Sequence, residues 1–163
     1  IMIIMAEAAV GLTAGLTLTV WFSAALLAGE KIATSAGLGF AAQLDPQTGA
    51  QSPVVSQLLY LFLTVVFFSI NGHLIVLGMM LMSYEILPVG AMPPIPVLLQ
   101  SVIEAAGAMF FAATLVMMPV VVVLIMVNAA IGLITRSSPQ LNLFSFGFPI
   151  SLLAAFFMLF VSV

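Results

Sequence analysis

Residues 97–135 contain no loop signal. About 40 residues pass there with a lone charged side chain, Glu104, and a lone proline, Pro119, whereas a helix needs only about 20 to cross a hydrocarbon layer of about 30 Å. Tilt absorbs a few of the surplus residues. Pro119 stands between Met117-Met118 and Val120-Val121-Val122-Val123, so it reads as a kink within one long helix rather than a turn between two. A helix of that length is expected to be covered by protein over part of its extent.

Composition extends this reading to the whole chain. Of its 163 residues, 64% are hydrophobic and 4% charged, with a mean hydropathy of +1.40. A soluble domain carries about 25% charged residues. These side chains therefore face lipid, one another or partner subunits. The net charge of −3 rests on five acids and two bases. Lys31 and Arg136 do not form the basic stripe that nucleic-acid binding requires. The absence of cysteine removes disulfides, zinc–thiolate sites and thiol catalysis. The chain opens at Ile1 without a basic start and stays apolar to Val163, so the expectation is a sequence cut at both ends and no signal peptide.

Three breaks separate four apolar blocks. The first block covers residues 1–28 and continues as a glycine-rich tail to Ala42, with Glu30-Lys31 expected to mark a helix end. Its break, residues 43–53, carries the turn signal Asp45-Pro46-Gln47-Thr48-Gly49. The second block, residues 54–84, follows Ser52-Pro53, a good N-cap and N1 pair, and is interrupted at Asn71-Gly72-His73. The second break holds Pro88, Pro93, Pro94 and Pro96; the third spans residues 136–147, and a last apolar block covers 148–163. The expected fold is all-α: a membrane-associated bundle of long, kinked hydrophobic helices, paired as hairpins and assembled with partner subunits over residues 1–163. Lys31 at the first break and Arg136 at the third place both on the cytoplasmic side, if crossings alternate.

Each conspicuous residue has a bland reading beside its functional one. Gly11 and Gly15 form a Gly-x-x-x-Gly that lets helix backbones approach, as a specific subunit contact or a generic packing face. His73, with Ser69 one turn before it, lacks an oxyanion donor and an orienting acid, so it reads as a hydrogen-bonded structural histidine rather than a catalytic one. Glu104 is the best of the acids for a proton pathway, ahead of Glu7, Glu30 and Glu85, although its position near Pro96 also suits the membrane interface. Clustered methionines at Met79, Met80, Met82 and Met117-Met118 would suit a deformable constriction, but fill gaps equally well. The glycine-rich stretch from Gly37 to Ala42 permits an irregular backbone, either as a loop entering a pore or as an exposed connector.

Taken in order, several short motifs resemble the FliR family, the flagellar type III export-gate subunit called SctT in injectisomes. They are Ala28-Gly29-Glu30, Gly37-Leu38-x-Phe40-Ala41 with Asp45-Pro46, and Phe67-x-x-x-Asn71-Gly72-His73-Leu74. Ser83-Tyr84-x-x-Leu87-Pro88-Val89-Gly90 and Pro119 follow, then Arg136-Ser137-Ser138-Pro139-Gln140-Leu141-Asn142 and Gly147-Phe148-Pro149.

The resemblance implies a subunit without enzymatic activity or cofactors. One copy would join FliP-type and FliQ-type subunits in a helical export gate of the bacterial inner membrane. That gate would sit at the flagellar basal body and project to the periplasmic side, with a FlhB-type subunit at its entrance and unfolded proteins as cargo. It further implies a channel plug at residues 37–52, built on Gly37, Leu38, Gly39, Phe40, Asp45 and Pro46. Gly11, Gly15, Asn71, Gly72 and His73 become subunit-packing positions. Residues 136–147 become a cytoplasmic-side loop with Arg136, Pro139, Gln140 and Asn142. The rival from the residues alone is a small-solute secondary transporter or channel subunit. It needs a polar midplane site at broken helices in paired repeats, and the sequence shows breaks without a repeat.

Overall fold

The computed structural model describes residues 2–38, 54–91, 94–138 and 146–162. Among these the protein is all-α, with five helices: α1 Met2–Ser35, α2 Val54–Ser69, α3 Gly72–Ile86, α4 Ile95–Ser137 and α5 Phe148–Ser162. The 43 residues of α4 continue through Pro119, for a length of about 65 Å at ~1.5 Å per residue. Two helices, α1 and α4, are long and apolar enough to cross a membrane, and the bent pair α2–α3 makes a third if it counts as one span.

Helix α1 does not end at Glu30-Lys31, as expected from the sequence, but runs to Ser35. Both side chains are exposed, and neither residue type breaks a helix. The end comes at Gly37, whose φ of 87° carries the chain into the left-handed region. The interruption expected at Asn71 is present. Asn71 adopts φ 57° and ψ 29°, and α2 and α3 diverge there by 66°. Gly72 is required beside it: a Cβ would lie 2.5 Å from the Phe67 ring and 2.9 Å from the Phe67 carbonyl.

Hydroxyls on these apolar helices mostly bond to their own backbone. Thr13 donates to Ala9 O at 2.8 Å, Thr17 to Thr13 O at 2.8 Å and Thr64 to Tyr60 O at 2.7 Å. Such back-bonding satisfies a polar group where no water reaches it.

The chain forms two compact units. One consists of Ile1–Ala24 and Tyr60–Phe111. Phe22 anchors it, meeting Phe67 edge-on at 5.2 Å and Tyr60 at 5.7 Å. At the unit's turn after α3, the Gly90 N–H donates to Glu7 Oε1 at 3.2 Å. Gly90 has a φ of 88°. The chain thus folds back so that the first half of α1 runs antiparallel to α3.

The other unit comprises Ala25–Leu59 and Ala112–Val163. Its core joins Ile32, Ala33, Ala36, Val55, Val120, Leu124 and Ala155, with Met117, Leu159 and others packed around. Close approach of α1 and α2 depends on Gly29, where a Cβ would stand 2.4 Å from Ser56 Cα and 2.7 Å from Ser56 N.

Candidate functional site

In the second unit, the departure of the chain from α1 is fixed with unusual completeness. A helix leaves its last carbonyls without intrahelical donors, and here each finds one. Ala36 N donates to Ile32 O at 2.9 Å, Leu38 N to Ala33 O at 2.9 Å and Gly37 N to Thr34 O at 3.1 Å. The last two bonds are the Schellman pattern, which requires a left-handed residue such as Gly37 between them. Leu38 completes the motif by packing against the core. The remaining carbonyl, that of Ser35, accepts from Asn128 Nδ2 of α4 at 2.9 Å. Asn128 Oδ1 in turn accepts from the buried hydroxyl of Ser151 on α5, at 2.8 Å. A Cβ on Gly37 would touch the Phe148 ring at 3.6 Å. Residues of α1, α4 and α5 therefore converge on the point where the chain turns away.

The first unit offers a groove instead of a latch. A cavity of about 440 Å³ is lined by Glu7, Gly11 and Trp21 of α1, with Met79 and Tyr84 of α3 and Leu87 beyond it. Gly11 and Gly15 have open space where a Cβ would be added. His73 lies with its ring 5.1 Å from that of Phe68, and its buried Nδ1 has no hydrogen-bond partner among the described residues. His73 Nδ1 thus makes neither the bond to Ser69 that a catalytic pair needs nor the bond expected of a structural histidine. Glu104 accepts from Gln100 Nε2 at 2.8 Å along its own helix, on an exposed face.

The sequence profile of "Bacterial export proteins, family 1" matches residues 1–163. The chain belongs to this FliR family. It is 35% identical over 158 residues to "Flagellar biosynthetic protein FliR" of Bacillus subtilis (strain 168), covering 95% of this chain and 61% of that protein. Against the FliR of Pectobacterium carotovorum subsp. carotovorum, identity is 34% over 143 residues, covering 88% of this chain and 55% of the relative. "Surface presentation of antigens protein SpaR" of Shigella sonnei is 26% identical over 155 residues, at 95% and 60% coverage. The chain thus spans somewhat over half the length of these curated relatives.

Against the positions expected for the FliR family, the structure brings some together and leaves others apart. Of the plug residues, Gly37 and Leu38 are in the locked exit; Gly39, Phe40, Asp45 and Pro46 lie outside the described residues. Asn71, Gly72 and His73 form the bend, while Gly11 and Gly15 line open space. Arg136, expected in a loop, belongs to the last turn of α4, where a cation is favoured by the helix dipole. Pro139, Gln140 and Asn142 lie outside the described residues.

Two participants in the exit were missed by sequence reasoning. Asn128 is the lone polar side chain of residues 120–134, and an amide in such a run is a signal for interhelical hydrogen bonding. Ser151 carries no comparable signal.

Proposed function

We propose that this chain is part of a non-enzymatic subunit of a flagellar type III protein export gate, forming and plugging a channel for unfolded substrates. The match of all 163 residues to an export-protein family carries the reading. The structure supports it through surface chemistry. Ile4, Leu81, Phe111 and Leu153 are each more than 65% exposed, and apolar surface on that scale needs lipid or other subunits to cover it. Helix α4 is about twice as long as a bilayer's hydrocarbon core is thick, so part of it requires protein cover.

In this reading one copy assembles with FliP-type and FliQ-type subunits in the bacterial inner membrane at the flagellar basal body. The gate projects to the periplasmic side, and a FlhB-type subunit stands at the entrance. Residues 37–52 plug the channel at rest, Gly11 and Gly15 meet a partner helix, and residues 136–147 face the cytoplasm. Deleting residues 37–52 from the full-length protein should raise ion leak through assembled gates. Unchanged conductance with normal assembly would remove the plug assignment.

The bend at Asn71 is the feature that a solute transporter would share, yet α4 runs unbroken through Pro119. Copurification separates the two: a gate subunit brings different small membrane proteins with it, a transporter only itself.

A further inference from the structure

We propose that Asn128 is the positioning residue of the α1 exit: from α4 it holds the last carbonyl of α1, and Ser151 of α5 holds Asn128. The direction in which the chain departs at Gly37 is then set by two other helices. The functional consequence rests on the plug reading of the segment that follows, whereas the latch itself rests on the described residues alone.

The chemistry of the carboxamide supports a specific arrangement. Ser35 O can only accept, so the Asn128 NH₂ must face it at 2.9 Å, which turns Oδ1 toward the Ser151 hydroxyl at 2.8 Å. A flipped amide would set Oδ1 against the Ser35 carbonyl, acceptor against acceptor, so Ser35 alone fixes the orientation. Ser151 is 3% exposed, and its hydroxyl reaches across to another helix. Thr13, Thr17, Thr19, Ser23 and Thr64 instead bond back one turn along their own helices. Removing Asn128, which lies on an exposed face, would leave the Ser35 carbonyl without its donor and the buried Ser151 hydroxyl without its acceptor, and an orphaned buried polar group is costly. The Schellman bonds of Gly37 and Leu38 would then open more often.

The test uses the full-length protein assembled in its native complex, with hydrogen exchange resolved at the Gly37 and Leu38 amides. Asn128→Leu should speed exchange at those two amides about tenfold, with the amide of Leu124 unchanged. Ser151→Ala should give a smaller acceleration, about threefold, and Ser151→Thr, which restores the hydroxyl, should match the wild type. Unaltered exchange in Asn128→Leu overturns the proposal; if that variant does not assemble, unaltered exchange in Ser151→Ala does so. Ion leak supplies the functional arm. Where deletion of residues 37–52 leaks, Asn128→Leu should leak several-fold above wild type, and a tight Asn128→Leu gate would overturn its positioning role while sparing the plug. Where the deletion stays tight, the plug reading fails and the exchange result alone decides the latch.

Discussion

The two units solve the same problem of apolar helices in different ways. In the unit of Ala25–Leu59 and Ala112–Val163, Ala28, Ile32, Ala33, Val120 and Leu124 are all at or near zero exposure. Polar contacts there, from Asn128 to Ser35 and Ser151, are internal to the unit. In the unit of Ile1–Ala24 and Tyr60–Phe111, the buried apolar residues among those described are Ala6, Ala24 and Ala105, all small. Its larger side chains point outward: Leu77 is 55% exposed, Leu81 71% and Ile103 70%. Both units present apolar surface that something else must cover, as Leu153 and Phe160 show for the unit of Ala25–Leu59 and Ala112–Val163, but that unit also holds a core of large side chains. Substitutions of buried residues in the unit of Ala25–Leu59 and Ala112–Val163 should therefore cost stability, and substitutions of exposed ones in the other unit should cost assembly.

The sharpest break in that comparison would come from Gly29→Ala. The new Cβ would meet Ser56 backbone atoms, at 2.4 Å from Cα, and a backbone cannot move aside as a flexible side chain can. A loss of about 3 kcal/mol is expected, at the upper end for overpacking. Unfolding of the purified protein in detergent measures it, and a wild-type midpoint would show that α1 and α2 are less closely apposed. Leu124→Ala should cost slightly less, about 2 to 3 kcal/mol, because it empties a fully buried position. The control is Leu77→Ala, at 55% exposure, which should change stability by less than about 0.5 kcal/mol. Equal losses at Leu124 and Leu77 would erase the distinction between the units.

The features legible in the sequence are those written in local chemistry. The unbroken run of residues 97–135 announces α4 because nothing in it can stop a helix, and the Asn71-Gly72 pair announces the bend because both residues tolerate a left-handed backbone. Glu30-Lys31 misled because charge was taken for a terminus, although a helix ends where its backbone changes hand, at Gly37. What could not be read was tertiary. Gly29 figured only in a family motif, and the Ser56 backbone that makes it necessary is a contact between helices. Asn128 gained a role only when α1 and α5 were brought beside α4.

A smaller effect should separate shape from charge at Glu7. Its carboxylate accepts the Gly90 N–H at 3.2 Å, and a glutamine oxygen can accept the same bond. Glu7→Ala should destabilise the turn after α3 by about 1 kcal/mol, while Glu7→Gln should be nearly silent. Faster exchange at the Gly90 amide in the alanine variant alone is the expected signature. Equal acceleration in both would mean that the negative charge, rather than the acceptor, holds the turn.

The substitutions expected to cost the chain itself nothing are also the most informative about its surroundings. Gly11 and Gly15 have nothing within 4 Å of an added Cβ, so Gly11→Leu and Gly15→Leu should fit without strain. Each removes a residue that disfavours a helix interior, so the isolated chain should be unchanged or stabilised by up to about 1 kcal/mol per site. If a partner helix packs on this face, however, leucine side chains would hold the two backbones apart. Copurification of other membrane subunits should then fall while the chain's own unfolding midpoint holds or rises. A drop in that midpoint would mean that the open space is filled within the chain. Retained partners at full stoichiometry would mean that this face looks onto lipid, and that the groove beside Gly11 serves no subunit contact.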